Sequence, residues 1–178
     1  MVYMFLADGF EEVEAFAPLD ILRRANVEVV TLGVTGEYVK GAHNIIVKAD
    51  ATLNDVELEK LDAVILPGGL GGTNNMDGSA EVKTIVQYAA DNNKLVCAIC
   101  AAPSILGKMG LLAGKNATCY PGFEDTFKGG NYIKQSVVKC ENFITSDGMG
   151  SAYKFAFEIT RALCGAEVAE KIKEQIQY

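Results

Sequence analysis

Cys100 stands where an apolar run, Leu95-Val-Cys-Ala-Ile, gives way to Ala101-Ala102-Pro103 and a second apolar stretch. Small residues on both sides of such a junction permit a sharp strand-to-helix turn with a side chain held at its tip, the nucleophile-elbow geometry. A thiol there faces the positive end of a helix, which favours the thiolate and predicts a lowered pKa. The same pattern also fits an inert cysteine buried at a tight turn. Cys97-Ala-Ile-Cys100 spells a redox pair as well, but Cys97 falls inside the strand. An extended i to i+3 separation of ~10 Å exceeds disulfide reach, so Cys97 is predicted to be core.

Three carboxylates, Glu11, Glu12 and Glu14, crowd the start of the first helical pattern. Acidic residues there complement the helix dipole, and capping and solvation account for them. Glu14, however, lies one turn beyond Phe10 and can look back toward the strand ends. A carboxyl partly buried beside a thiolate has its pKa raised and can act as general acid or base. Pro67-Gly-Gly-Leu-Gly-Gly72 reads as a flexible loop whose bare N–H groups could steady an oxyanion. It lacks the lysine of a P-loop, and Asn74 stands where a dinucleotide fingerprint needs its last glycine. His43 is the only histidine and sits in a predicted hairpin turn, as a surface or interface residue. A His-rich metal site is thereby excluded, and no Cys–His pair is expected within one chain.

The elements that must position these groups alternate. Val2–Leu6, Val27–Leu32, Ala63–Leu66 and Lys94–Ile99 read as buried strands, with later strands at Ala117–Tyr120, Ser136–Lys139 and Phe143–Thr145. Helical patterns cover Glu11–Ala25, Ser79–Asn92, Ala101–Met109, Ser151–Cys164 and Ala166–Gln177. Tyr38–Lys40 and Ile45–Lys48 form a predicted hairpin. The first helix is expected to turn Val13, Phe16, Leu19 and Leu22 inward, with a kink or break at Pro18. Strand–helix alternation predicts a mainly parallel, doubly wound α/β sheet with helices on both faces. In such folds the functional crevice lies at the carboxyl ends of the strands, where Ala7–Glu14, Pro67–Gly72 and Cys100–Pro103 fall. One domain spanning residues 1–178 is expected.

A net charge of -7 argues against nucleic acid or an anionic membrane as partner. No apolar run approaches the ~20 residues that span a bilayer, and the amino terminus lacks the cationic flank of a signal peptide. Five cysteines, an odd number in a core-sized chain, read as reduced thiols and predict a cytoplasmic protein, with Cys164 as a small core residue.

Five stretches together carry a resemblance: Ala7-Asp-Gly-Phe-Glu-Glu-Val-Glu14, Pro18-Leu-Asp-Ile-Leu-Arg-Arg-Ala25, Leu66-Pro-Gly-Gly69, Ala98-Ile-Cys-Ala-Ala-Pro103 and Thr145-Ser-Asp-Gly-Met-Gly150. In this order and spacing the chain resembles the ThiJ/PfpI superfamily, in the branch of the parkinsonism-associated deglycase. The resemblance implies a flavodoxin-like fold, a homodimer, Cys100 as nucleophile and Glu14 as active-site carboxyl. It maps oxyanion-type donors onto the N–H groups of Gly69 and Ala101. It implies glyoxalase activity on small 2-oxoaldehydes such as methylglyoxal, or deglycation of glycated amines, without metal or cofactor. The alternative is a non-catalytic oxidative-stress sensor or chaperone that uses oxidation of Cys100. Two positions depart from the superfamily pattern. Ala101 replaces the histidine that follows the nucleophile in protease-like branches, and Tyr120 replaces a histidine frequent in the deglycase branch. For the dimer, Phe16, Ala17 and Ile21 give the first helix more apolar surface than one stripe can bury. Arg24 or His43 would then reach toward the neighbouring chain's crevice.

Overall fold

The computed structural model describes residues 1–178. In chain order the elements are β1 (Val2–Leu6), α1 (Glu12–Arg24), β2 (Val29–Gly33), β3 (Tyr38–Lys40), β4 (Ile46–Lys48) and β5 (Ala51–Thr52). There follow β6 (Ala63–Leu66), α2 (Leu70–Gly78), α3 (Ala80–Asp91), β7 (Leu95–Ile99), α4 (Pro103–Lys108), β8 (Asn116–Ala117) and β9 (Asn131–Tyr132). The chain closes with β10 (Val137–Cys140), β11 (Phe143–Ser146), α5 (Ala152–Cys164) and α6 (Ala166–Gln175). Seven strands form the central sheet in the order β10-β11-β7-β6-β1-β2-β5. Every pairing is parallel except that of edge strand β10 with β11. This is the mainly parallel α/β sheet that the alternating pattern predicts, in the flavodoxin-like form that the resemblance implies.

Alternation along the central strands feeds two cores. Tyr3, Phe5, Val64, Leu66, Val96 and Ala98 point to one face, against Met76, Val82, Ile85, Val86, Ala89, Ile105 and Leu106 of α2, α3 and α4. Val2, Met4, Leu6, Ile65, Cys97 and Ile99 point to the other, against Ala15 and Leu22 of α1 and Phe155 and Ile159 of α5. Helix α3 starts where Ser79 caps the N–H of Val82, and it buries the four residues its periodicity marks. The small hairpin β3–β4 pairs antiparallel as expected.

Helix α1 departs from expectation twice. It runs unbroken through Pro18, which deprives only the carbonyl of Glu14 of its helical partner. Its inward face is also different: Ala15, Ala17, Pro18, Ile21 and Leu22 are buried, Val13 is 42% exposed, and Phe16 and Leu19 are half-buried. The helix is covered on two sides. Ile21 packs with Ala156, Phe157 and Ile172 of α5 and α6, so it and Ala17 are not surplus surface. The α4 helix is shorter than expected, and Cys164 is half-buried rather than core.

The glycine run is also not a flexible loop: it opens α2 at Leu70. Gly69 caps it at φ +82°, and Gly71 and Gly72 let its first turn lie against the Gly9–Phe10 backbone. A Cβ on Gly72 would stand 2.8 Å from Phe10 Cα. Alanine there improves helix propensity by ~1 kcal/mol but drives a methyl into main chain. Gly72→Ala is therefore expected to destabilise by ~1–3 kcal/mol, read from the urea midpoint. An unchanged midpoint would show that α2 can move away.

Candidate active site

The carboxyl ends of β1, β6 and β7 lie side by side, and each hands the chain to a segment of the site. Cys100 follows β7 with φ +65°, a left-handed conformation that costs a non-glycine residue ~1–2 kcal/mol. Two backbone hydrogen bonds hold it there. Its N–H donates to the Ser146 carbonyl at 2.9 Å, and its own carbonyl accepts from the Tyr120 N–H at 2.8 Å. The strained elbow read from the small flanking residues is present, and Cys100 is half-buried. All five cysteines are free thiols, with Cys97 and Cys119 buried.

Glu14, in the first turn of α1, is 1% exposed. Its Oε2 accepts the Gly68 N–H at 2.9 Å, and its carboxyl hydrogen-bonds the Cys100 thiol. Burial pushes its pKa up to about 7, opposed by the bonds to Cys100 and Gly68 and helped by the Glu11 charge. Gly68 makes this contact possible. A Cβ there would stand 2.4 Å from Glu14 Oε2 and 2.6 Å from Cys100 Cβ. Sequence reasoning marked the glycine run as a source of N–H groups and missed Gly68 as the residue that leaves room for thiol and carboxyl to meet. Its position directly after the β6 strand end was the available signal.

The Cys100 thiol is pushed up to about 12 by burial, by the Glu14 charge and by the hydrogen bond to Glu14. The N–H groups of Gly69 and Ala101 hydrogen-bond the sulfur and pull the other way. The lowered pKa expected at the elbow is thus reversed: α4 begins only at Pro103 and is six residues long, and its end field is outweighed by desolvation and a like charge. Between about 7 and about 12 the pair carries one proton and one negative charge. With the proton on the carboxyl, two backbone N–H groups face a thiolate; with it on sulfur, the Gly68 N–H faces a carboxylate.

Of the remaining sequence-nominated residues, Tyr120 is bonded to Cys100 through its backbone, and its exposed ring lies by Gly148. His43 is in the hairpin turn, with its N–H on Glu12 Oε1 at 2.8 Å and its Nδ1 2.9 Å from Glu12 Oε2. Burial works to raise the Glu12 pKa, but the bonds from His43 hold it below the ordinary range. Together with Glu11, these residues place three ligand-type atoms within 4.8 Å of one another, an arrangement in which the His43 Nδ1 already faces both carboxylates, at 2.9 Å and 3.7 Å. Arg24 pairs with Asp20 at 2.7 Å, ten residues along α1 from Glu14 and so ~15 Å away on the helix axis. Within the chain, Arg24 is not part of the site.

Residues 1–162 match the model of the DJ-1/PfpI family. The chain belongs to this family. Among its DJ-1/PfpI relatives, protein dj-1beta of Drosophila melanogaster is 39% identical over 95% of this chain and 92% of the relative. The glutathione-independent glyoxalase DJR-1.2 of Caenorhabditis elegans is 32% identical over 88% of this chain and 84% of the relative. Among solved structures, that of Toxoplasma gondii DJ-1 in an oxidized state superposes with a TM-score of 0.95 at 36% identity, covering 99% of this chain and 97% of the other. The family's fold and a mainly parallel sheet are common to both, and no helix here is long and apolar enough to cross a membrane.

Proposed function

We propose that the protein is a cofactor-independent glyoxalase or deglycase-type enzyme of the DJ-1/PfpI family, acting on 2-oxoaldehydes such as methylglyoxal. The observation that carries this reading is the Glu14 carboxyl, buried, raised to about 7 and hydrogen-bonded to the Cys100 thiol. An acid–base group poised near neutrality on a half-buried nucleophile suits a reaction in which a covalent thiol adduct is isomerised by proton transfer. A relative at 32% identity is named a glutathione-independent glyoxalase.

The Cys100 sulfur bonds to C1 of the aldehyde while its proton passes to O1, giving a hemithioacetal. The N–H groups of Gly69 and Ala101 offer donors for charge building on that oxygen. The Glu14 carboxylate takes the hydrogen from C1 and returns it to C2 through an enediol, which leaves a 2-hydroxy thioester. Water cleaves the thioester, releases lactate and restores the thiol. Atoms and electrons balance without an external oxidant or reductant. Lactate formation from methylglyoxal in the absence of glutathione tests this directly, and no turnover would overturn it. The oxidized relative supports a second reading, in which peroxide converts Cys100 to a sulfinate beside protonated Glu14. Sulfinate formation without any turnover would favour that sensor role.

Iodoacetamide is expected to modify Cys100 ahead of the buried Cys97 and Cys119, at a rate that rises as pH passes about 7. Below that pH both Cys100 and Glu14 keep their protons; above it they share one negative charge that the sulfur can hold. Mass mapping across about two pH units on either side checks the site and the midpoint. Preferential labelling of Cys140 or Cys119 would sink the assignment.

A homodimer built on α1 and the β3–β4 hairpin belongs to the same proposal. Val13, Tyr38, Ile45 and Ile46 are left exposed there, at 42%, 63%, 52% and 66%. The hairpin turn meets the start of α1 through the Ala42 N–H and the Phe10 carbonyl. Sedimentation at micromolar concentration is expected to give twice the 19.1 kDa chain mass. A monomer would refute the interface and any cross-chain role of His43 or Arg24.

A further inference from the structure

A cavity of about 630 Å³ lies on the far side of the β10 edge, where α5 and α6 meet it. Lys139 enters it from β10, Lys154 and Arg161 from α5, and Lys173 from α6, against a single acidic side chain, Glu158. In a chain with 23 acidic and 16 basic residues this is a local reversal of charge.

Taken singly, three of these cations have ordinary explanations. A lysine on an edge strand discourages unwanted strand pairing, and Arg161 and Lys173 lie in the last turns of their helices, where positive charge complements the dipole. Lys154 has no such explanation. It sits in the first turn of the 13-residue α5, where the dipole disfavours a cation and no acidic residue offsets it. Arg161 pairs with Glu158 at 3.4 Å and Glu170 at 2.9 Å, and Lys173 pairs with Glu170 at 2.8 Å. Lys139 and Lys154 have no carboxylate within ion-pair distance. Four cations therefore converge on one concavity, two of them unpaired and one set against a helix end. An anion in the cavity relieves all three features at once, and none of the single explanations does.

We propose that this cavity binds a phosphate-bearing small molecule, with its phosphates among Lys139, Lys154, Arg161 and Lys173. Its volume is that of a small-molecule site. The exposed Tyr178 ring, packed 4.9 Å from the buried Phe157, supplies an aromatic surface for the organic part. The net charge of -7 repels an anionic membrane surface, so a free molecule is the source of the phosphate.

Titration with inorganic pyrophosphate at low ionic strength is expected to show saturable binding near one equivalent per chain. At saturation the Tm of the wild-type protein should rise by ~2 °C or more. A Lys139→Gln/Lys154→Gln variant, altered at two exposed positions, should bind at least ~10-fold more weakly. Its Tm without pyrophosphate should equal or exceed that of the wild type, because an unfavourable cation has left the α5 terminus. Absent or unsaturable binding by the wild type, or equal binding by both proteins, overturns the proposal. Capture by phosphatidylserine vesicles without pyrophosphate binding overturns it in favour of a lipid surface.

Discussion

Cys100→Ser is expected to abolish lactate formation from methylglyoxal, a fall of at least ~1,000-fold, while the fold stays intact. The elbow does not depend on sulfur: the φ of +65° is secured by main-chain bonds to Ser146 and Tyr120, which serine keeps. What changes is the proton. The thiol and the Glu14 carboxyl are hydrogen-bonded and titrate as a pair that carries one proton between about 7 and about 12, whereas a serine hydroxyl holds its proton far more tightly than a thiol. Glu14, with a pKa of about 7, cannot ionise that hydroxyl. The measurement is steady-state turnover beside a thermal melt of both proteins. Turnover within ~10-fold of wild type would place the nucleophile elsewhere.

The parts of this architecture legible in sequence are those that local pattern determines. Val2–Leu6, Ala63–Leu66 and Leu95–Ile99 are uninterrupted apolar runs, as strands buried on both faces must be. Ser79 with the spacing of Val82, Ile85, Val86 and Ala89 marks α3 nearly to the residue. Cys100 and Glu14 could be nominated because strand ends define where a crevice forms. The misreadings all required knowing what lies opposite. The glycines before and within the first turn of α2 mean close approach to Gly9 and Phe10, and a glycine's reason for being small is invisible without its neighbour. The two-sided burial of α1 rests on α5 and α6, more than a hundred residues away, and the small Ala15 and Ala17 rather than Phe16 and Leu19 fit that space. The direction of the Cys100 pKa shift is not legible in sequence, because only helix-end fields can be read from order along the chain. Desolvation and the charge of a residue 86 positions earlier cannot. Gly68 combines both difficulties, since its role is to be absent where two side chains meet.

Glu14→Gln is expected to act in opposite directions on activity and stability. Lactate formation should fall at least ~100-fold, because an amide can neither take the hydrogen from C1 nor return it to C2. Stability should rise, and only above neutral pH. Glu14 has an ordinary pKa of 4.5 and a folded-state pKa of about 7. A carboxyl raised on folding binds its proton more tightly in the native state, so its favourable contribution is complete below 4.5 and is lost as pH climbs through about 7. Above that range the native protein carries a buried charge that the unfolded chain keeps in water. The gap between 4.5 and about 7 corresponds to roughly 3 kcal/mol. Glutamine presents the same shape, can still accept the Gly68 N–H through its Oε1, and carries no charge to desolvate. Urea denaturation one pH unit above about 7 should therefore show the variant more stable by up to ~3 kcal/mol, with the difference shrinking toward zero near 4.5. A merely structural role as a helix-end acid predicts the reverse at high pH: losing a dipole-complementing charge would destabilise by up to ~1 kcal/mol and leave turnover within a few-fold. The sign of the stability change above neutral pH thus separates a carboxyl held at a cost for chemistry from one that serves the helix.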